Sequence, residues 1–286
     1  MATILDGRKI RDNSIPKLKE AFSIFEKAPV LAIVQVGDRE DTNAYIKAKR
    51  LFAEKIGVET VHVKLPLQIT EKDLIVEVQK LNDDKKVNGI IVQLPLPEGI
   101  DRNAVIDTIL PHKDVDAITP QNVKRWADGV KGALLPATAQ GVKTMFKEYN
   151  IDLLGKKVAV IGRSTLVGKP IASMCLSENA TVTICHSKTN NLKEVTKDSD
   201  IIVVAVGKIN LITKDHVKAG QVIIDVGINT YEGKKLDDEI IEKKIVGDVD
   251  FAEVSKIVSA ITPVPGGVGP LTVLSVFQNL LVLCQG

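Results

Sequence analysis

The chain has 286 residues, of which 44% are hydrophobic and 26% are charged, as in ordinary globular proteins. This length predicts two domains, because single hydrophobic cores stop growing at about 250–300 residues. A formal net charge of +2, with basic residues scattered among acidic ones, gives no reason to expect nucleic-acid or membrane partners. The N-terminus lacks a secretory pattern and no apolar run approaches the roughly 20 residues of a membrane span, so a cytoplasmic location is expected.

The cysteines and histidines argue against a metal centre. Their spacings match no common ligand pattern, and three cysteines cannot all pair with one another. Reduced thiols are therefore expected, and no metal is predicted.

The first half of the chain alternates between helix and strand patterns, which is typical of an α/β unit. The segment 70–73 resembles a capping box, and Pro16 marks a start or a kink in the first helix. The predicted elements are a helix after Asp6, a strand at 30–36, a helix at 42–56, a strand at 58–65, a helix at 70–81 and a strand at 89–95.

The second half contains a strand that runs into a glycine turn and a helix start, at 158–170. Such a turn presents backbone N–H groups and a helix N-terminus to a phosphate. Gly162 opens the turn and Arg163 adds a cation, but Ser164 stands where the second glycine of the usual fingerprint is expected, and Gly168 comes one residue late. A dinucleotide with an additional phosphate fits this turn, whereas a tight structural connection is the alternative.

Apolar runs at 180–186, 201–206 and 222–226 predict further strands, buried on both faces of a parallel sheet. An NAD site would carry an acidic side chain at the end of the first of these strands. The strand at 180–186 instead ends without a carboxylate. Ser187 and Lys188 follow it, and both favour the 2′-phosphate of NADP. Lys188 could equally be a solvated loop charge.

The domain boundary is predicted near 136–141, ahead of the helix that leads to the glycine turn. We expect one α/β domain at 1–137, a second at 138–268 and a C-terminal helix at 269–286 that returns to the first domain. The predicted fold class is α/β, with a Rossmann-like doubly wound second domain. A cleft between two such domains is a common place for a substrate.

Candidate chemistry lies in the first domain. Tyr45 and Lys49 are one helical turn apart, so the tyrosine ring could partly desolvate the ammonium and make it a usable acid or base. Gln93 ends a buried strand, where open α/β sheets bind ligands. Asp114 and Asp116 offer carboxylates. Each also has an ordinary structural explanation: a solvated lysine, a glutamine that satisfies the backbone, or a helix N-cap.

A segment rich in proline and glycine, at 263–270, predicts a rigid backbone that a flat ligand could approach closely. Pro270 suits the first turn of the helix predicted at 271–284.

Six motifs, in this order and over nearly the whole chain, resemble those of the bifunctional methylenetetrahydrofolate dehydrogenase/cyclohydrolase family. The proline- and glycine-rich segment is the most specific of them. They are Tyr45-x-x-x-Lys49, Val92-Gln-Leu-Pro95, Lys113-Asp-Val-Asp116, Gly162-Arg-Ser164, Cys185-His-Ser-Lys-Thr189 and Pro263-Val-Pro-Gly-Gly-Val-Gly-Pro270.

The resemblance implies NADP-dependent oxidation of 5,10-methylenetetrahydrofolate to the 5,10-methenyl form and its hydrolysis to 10-formyltetrahydrofolate, in one-carbon metabolism and purine biosynthesis. It also implies a homodimer. By resemblance the catalytic residues are Lys49, Tyr45 and Gln93; the folate contacts are Asp116, Tyr45, Pro263 and Gly267; and the NADP contacts are Gly162, Arg163, Ser164, Ser187, Thr138 and Ile228.

The sequence departs from the family pattern at two positions. Ala117 replaces a glycine that commonly follows the aspartate motif, and Ala139 replaces a proline near the domain boundary. Two other functions were weighed: a different NADP-dependent oxidoreductase, such as an amino-acid dehydrogenase, and a non-catalytic nucleotide-sensing module. The first would need a cation for the α-carboxylate of its substrate, and the second would leave Lys49 and Asp116 without a joint purpose.

Overall fold

The structure is a computed structural model that describes residues 1–237 and 240–286, with side chains throughout except at 41 and 231–244. The chain divides into two compact units. Unit 1 comprises Met1–Arg11 and Thr138–Thr272, and unit 2 comprises Asp12–Ala137 and Val273–Gly286.

Helices and strands alternate along most of the described chain. In chain order they are β1 (Thr3–Ile4), α1 (Gly7–Ser23), β2 (Val30–Val36), α2 (Glu40–Ile56), β3 (Glu59–Leu65), α3 (Glu71–Asp83), β4 (Val87–Val92), α4 (Arg102–Asp107), α5 (Pro120–Ala127), α6 (Ala137–Glu148), β5 (Lys157–Ile161), α7 (Gly168–Ser177), β6 (Thr181–Cys185), α8 (Leu192–Asp198), β7 (Ile201–Val204), β8 (Val222–Asp225), β9 (Asn229–Asp237), β10 (Ile240–Val246), α9 (Phe251–Val254), β11 (Ala260–Ile261) and α10 (Val268–Gln285).

Unit 2 is built on a three-stranded parallel sheet in the order β3-β2-β4. The central strand β2 is buried along almost its whole length, which explains its continuous apolar sequence. The predicted capping box is present, because the Thr70 side chain accepts the backbone N–H of Asp73 at 3.1 Å. The strands and helices predicted for 30–95 are confirmed, with ends shifted by at most three residues.

Unit 1 is built on a six-stranded sheet in the order β1-β11-β8-β7-β5-β6, with parallel pairing throughout. Within this sheet, β6 pairs with one side of β5 and β7 pairs with the other side. This reversal of strand order is the switch point at which doubly wound sheets bind ligands. The predicted α/β class and the Rossmann-like second sheet are confirmed.

The first eleven residues differ from the predicted boundary, which put them with residues 12–137. In the structure β1 pairs in parallel with β11, at Thr3 with Ala260 and at Ile4 with Ile261. Leu5 is buried, and its N–H donates to the Ile261 carbonyl at 2.9 Å. The N-terminus therefore completes the sheet of unit 1.

Helix α10 begins at Val268, three residues earlier than predicted, with Pro270 in its first turn as expected. Among the described residues, α10 is the helix that is long and apolar enough to cross a membrane. The expectation that no apolar run approaches this length is therefore wrong. Half of α10 is buried, and the Phe277 ring packs 5.4 Å from the Phe52 ring within unit 2. These contacts are those of a core helix.

Candidate active site

Lys49 lies on α2 and is buried, with only 5% of its surface exposed. Its ammonium donates to Oε1 of Gln93 at 2.7 Å. Gln93 directly follows β4, and its own N–H donates to the Val34 carbonyl, so the end of the sheet fixes its position. Tyr45 is half-buried one turn before Lys49 on α2.

Burial lowers the pKa of Lys49 below its ordinary value, because removal from water disfavours the charged ammonium. The negative charge of Asp116 opposes this shift. Burial also raises the pKa of Asp116 from 3.8 to about 6, which the Lys49 charge opposes and the Asp114 charge reinforces. The two groups are therefore close enough to influence each other's ionisation.

The segment that carries Asp116 is anchored by its neighbours. The Lys113 ammonium donates to the carbonyls at the end of α3, which are those of Leu81, Asn82 and Asp84, at 2.6–3.1 Å. The Lys113 carbonyl in turn accepts the N–H of Ile90 on β4 at 2.7 Å. This lysine thus uses its charge to cap a helix and to hold the segment against the sheet.

The two aspartates of the segment have different roles. Asp114 is fully buried and accepts hydrogen bonds from the Thr119 N–H at 2.8 Å and the Asn122 amide at 3.0 Å, at the start of α5. No described residue donates a hydrogen bond to the carboxylate of Asp116. Asp114 is therefore a structural residue, although the N-cap of α5 is Thr119 and not Asp114 as the sequence suggested. Asp116 remains available to a ligand.

Ala117 has a backbone φ of 54°, in the left-handed region that favours glycine. It is also fully buried. The glycine of the family pattern is the residue that this conformation accepts most easily, so the departure noted in the sequence places mild strain directly after Asp116. Ala139 lies in the first turn of α6 and is buried.

The glycine turn of unit 1 is closely packed. Gly162 has a φ of 128°, and a Cβ there would lie 2.3 Å from the Ala205 carbonyl oxygen. A Cβ on Gly168 would lie 2.2 Å from the Gly162 carbonyl oxygen. The hydroxyl of Ser164 accepts the N–H groups of Val167 and Gly168 at 3.2 and 3.3 Å, so it holds the turn together. Gly168, which comes one residue later than the third glycine of the usual fingerprint, is needed for space.

Exposed polar groups surround the ends of β5 and β6. Arg163 and Ser164 are exposed after β5, and Ser187 and Lys188 are exposed after β6. Because the two strands are parallel neighbours, these side chains lie at the same edge of the sheet. No carboxylate occurs between Cys185 and Asn191.

The remaining predicted cofactor contacts also belong to unit 1. Thr138 is the second residue of α6 and is half-buried. Ile228 follows β8 and is 48% exposed. Within the described part of the chain, no hydrogen bond joins either residue to the glycine turn.

The proline- and glycine-rich segment packs against the N-terminal residues. The carbonyl of Gly266 accepts the N–H groups of Gly7 and Arg8 at 3.0 and 3.2 Å. A Cβ on Gly7 would lie 1.8 Å from the Gly267 carbonyl oxygen. Pro263 accepts the N–H of Gly267 through its carbonyl. The predicted rigidity thus depends on residues 7 and 8, which no sequence pattern connects with this segment.

Comparison with known proteins gives full-length matches. Residues 5–116 match the family model of the tetrahydrofolate dehydrogenase/cyclohydrolase catalytic domain, and residues 136–285 match that of its NAD(P)-binding domain. The bifunctional protein FolD of Bacillus cytotoxicus is 44% identical over 98% of this chain and 95% of its own length. FolD of Methanospirillum hungatei is 44% identical over 96% and 95%.

Solved structures agree with these matches. The bifunctional enzyme FolD of Campylobacter jejuni has a TM-score of 0.92 at 40% identity and covers 100% of this chain and 99% of its own. The Trypanosoma brucei enzyme, solved with NADP and an inhibitor, has a TM-score of 0.94 at 34% identity, with 99% and 97% covered. The chain therefore belongs to the tetrahydrofolate dehydrogenase/cyclohydrolase family and carries both its catalytic and its NAD(P)-binding domain.

Proposed function

We propose that this enzyme oxidises 5,10-methylenetetrahydrofolate with NADP and hydrolyses the resulting methenyl compound to 10-formyltetrahydrofolate, using Lys49, Gln93, Tyr45 and Asp116 of unit 2 as the shared folate site. The observation that carries the site assignment is the buried Lys49, held by Gln93 and electrostatically coupled to Asp116. Unit 2 is then the folate-binding domain and unit 1 the NADP-binding domain.

Asp116 anchors the pterin ring. A pterin presents an exocyclic amino group beside a ring N–H, a pair of donors that one carboxylate can accept with its two oxygens. With a pKa of about 6, Asp116 is mostly ionised at neutral pH and can accept both hydrogen bonds. An amide would offer a single acceptor oxygen.

Oxidation removes a hydride from the methylene carbon, and the remaining cation is delocalised over the two adjacent nitrogens. NADP supplies the acceptor for this hydride. No protein base is needed, so the contribution of the folate site is to hold the carbon in place. Gln93 restrains the Lys49 ammonium on one side of the site.

Hydrolysis needs a proton acceptor. Water adds to the cationic methenyl carbon, a C–O bond forms, and the water loses a proton. The lowered pKa of Lys49 makes its neutral amine more accessible than that of an exposed lysine, so it can serve as the base for this step. The same proton can then pass to the ring nitrogen that leaves as the C–N bond breaks, and the remaining hydroxyl proton is released to solvent as the C=O bond of the formyl group forms. Tyr45 lies one turn away and lines the folate site.

The groups at the ends of β5 and β6 fit NADP. The space left by Gly162 and Gly168 allows a pyrophosphate to approach the backbone, and Arg163, Ser164, Ser187 and Lys188 suit a 2′-phosphate. The Trypanosoma brucei relative was solved with NADP, which supports this choice. Thr138 and Ile228 are assigned to the same site, and Pro263 and Gly267 to the folate, by family resemblance.

A cytoplasmic homodimer is the proposed working form. Strand β6 is the edge of the six-stranded sheet, and Thr181, Thr183 and Ile184 on it are exposed. Leu176 at the end of α7 is 64% exposed. An exposed strand edge with apolar side chains is typical of a surface covered by another chain. Sedimentation of the purified protein at micromolar concentration tests the dimer.

A spectrophotometric assay tests the function. The folate is supplied with NADP or with NAD, and the absorbance of the reduced cofactor is followed; the methenyl compound alone is then supplied, and its loss is followed. The proposal predicts rapid reduction of NADP, slower reduction of NAD, and cofactor-independent hydrolysis. An enzyme that reduces NADP only with an amino acid or another substrate would contradict it.

A further inference from the structure

Unit 1 contains a second pair of buried acids that the proposed chemistry does not use. Asp225 ends β8 and is 3% exposed, and Asp248 follows β10 and is fully buried. Burial raises the pKa of Asp225 to about 6, and the Asp248 charge adds to this effect. Two neighbouring buried carboxylates are costly to maintain, so their hydrogen-bond partners indicate what they do.

Asp225 fixes the backbone on which Asp248 stands. Its Oδ1 accepts the N–H groups of Gly227 and Asp248 at 2.9 and 3.1 Å, and its Oδ2 accepts that of Val249 at 2.9 Å. Its own N–H donates to the Thr262 hydroxyl at 2.7 Å. Asp225 therefore ties the end of β8 to residues 248–249.

Asp248 holds the loop that follows β7. Its carboxylate accepts the N–H groups of three successive residues, Val206, Gly207 and Lys208, at 2.8, 2.9 and 2.7 Å. The carbonyl just before this loop, that of Ala205, occupies the space that a Cβ on Gly162 would need. The loop that Asp248 restrains is therefore packed against the proposed phosphate-binding turn.

Asp248 and Asp225 together restrain the residues on either side of Ile228. The Asn229 side-chain amide donates to Asp248 Oδ1 at 2.9 Å, and the Gly227 N–H donates to Asp225. Ile228 is held between these two anchors with nearly half of its side chain exposed. An exposed apolar side chain on so firmly fixed a backbone is suited to contact a flat ligand ring.

At two positions the backbone passes so close to the carboxylates that only glycine fits. A Cβ on Gly227 would lie 2.2 Å from Asp248 Cγ, and a Cβ on Gly247 would lie 1.9 Å from Asp225 Oδ2. Neither glycine has a positive φ, so the glycines are needed for space and not for backbone conformation. The carboxylates are confined to the positions in which they accept these hydrogen bonds.

We propose that Asp248 is a positioning residue for NADP: its carboxylate fixes the loop 206–208 and Ile228 in the conformation that binds the cofactor. Both oxygens of Asp248 already accept hydrogen bonds from the protein, so it acts through these segments and does not contact the ligand itself. The inference rests on the proposed NADP site in unit 1.

The test is Asp248→Asn, which preserves size but replaces one acceptor oxygen with a donor facing backbone N–H groups. We expect the Kd for NADP, measured by calorimetry, and the KM for NADP to rise at least about tenfold, because hydrogen bonds to a charged acceptor are lost. Hydrolysis of the methenyl compound without NADP should keep its kcat/KM within about twofold. Asp215→Asn, at an exposed ion pair in the same unit, is the matched control and should leave both unchanged.

Unchanged NADP binding in Asp248→Asn would overturn the inference, and so would an equal loss of both activities, which indicates a general role in folding. If the variant does not fold, Asn229→Ala replaces it, since it removes the amide that donates to Asp248 and to the Val246 carbonyl and leaves the carboxylate in place. We expect Asn229→Ala to bind NADP about threefold more weakly than the wild type, with unchanged hydrolysis. NADP binding equal to that of the wild type would overturn the inference. A wild-type protein that does not bind NADP would instead contradict the proposed function.

Discussion

Two pairs of ionisable groups, one pair in each unit, differ sharply in their hydrogen-bond partners. In unit 2 the Lys49 ammonium has Gln93 as its hydrogen-bond partner, and no described residue donates to Asp116. In unit 1 the carboxylates of Asp225 and Asp248 together accept seven hydrogen bonds, six of them from backbone N–H groups. Burial alone therefore does not distinguish a reactive group from a structural one.

A reactive buried group differs from a structural one in the number of hydrogen bonds that it makes to the protein. A carboxylate saturated with backbone donors has nothing left to offer a ligand and stabilises the loops that donate to it. A buried group with few partners retains hydrogen-bonding capacity and a shifted pKa, both of which a substrate or a proton transfer can use. Substitutions in the two units should accordingly damage different steps.

The largest expected effect is that of Lys49→Met on hydrolysis. Loss of the base should lower cyclohydrolase kcat by about 10²–10⁴-fold while the Kd for NADP stays within about twofold. Lys47→Met is the matched control, since Lys47 is exposed on the same helix. Stopped assays with the methenyl compound measure the effect, and undiminished hydrolysis would remove Lys49 from the mechanism.

Next in size is the effect of Asp116→Asn on folate binding. Loss of one acceptor and of the charge should raise the KM for the folate about 10–100-fold, with the NADP KM unchanged. Asp107→Asn, at an exposed position of α4, should behave as wild type. A normal folate KM in the first variant would place the anchor elsewhere.

The pH dependence of folate binding sharpens the same assignment. Since the pKa of Asp116 is about 6, the carboxylate gains a proton below that pH and the folate KM of the wild type should rise there. By the same raised pKa, the contribution of Asp116 to the free energy of unfolding is greatest below about pH 4 and falls as the pH passes 6. The acid limb of the KM profile should be absent in Asp116→Asn, and its persistence would assign the limb to another group.

A smaller effect is expected on cofactor choice. Arg163→Ala should reduce the preference for NADP over NAD about tenfold, because a charge-assisted contact to the 2′-phosphate is lost. Lys169→Ala removes an exposed cation from the first turn of α7 and serves as the control. The ratio of kcat/KM values for the two cofactors is the measurement, and an unchanged ratio would show that Arg163 does not contact the phosphate.

The smallest effect concerns stability. Ala139→Gly should lower the free energy of unfolding by about 1 kcal/mol, as glycine does in a buried helical position. Ala117→Gly should change it by less, because relief of the left-handed backbone offsets the lost methyl group. Urea unfolding of both variants compares them, and an equal loss would mean that the φ of 54° carries no strain.

Much of the fold follows from local pattern. Strand β2 and the strands of the doubly wound sheet are continuous apolar runs rich in β-branched residues. Such runs can be predicted from sequence because both faces of these strands are buried and therefore apolar. The cap at Thr70 and the turn at Gly162 are also local, since their donors and acceptors lie within a few residues. The spacing of Tyr45 and Lys49 placed the lysine on one face of α2 for the same reason.

Pairing between segments that are far apart in the chain cannot be predicted from local sequence pattern. Strand β1 has two residues and pairs with β11 more than 250 positions away, so it has no periodicity to detect. Asp225 and Asp248 resemble any acid in a loop until their backbone donors are known. The distinct roles of Asp114 and Asp116 depend on the Asn122 amide and on the coupling to Lys49, which only the packing brings near.

The most direct test of the account is the titration of the Lys49 ammonium in protein with isotope-labelled lysine, followed by NMR. The signal is assigned by its absence in Lys49→Met. The account predicts a midpoint clearly below the ordinary 10.5, and a further fall in Asp116→Asn because the opposing charge is gone. A midpoint at or above 10.5 in the wild type would contradict a neutral Lys49 as the base for hydrolysis.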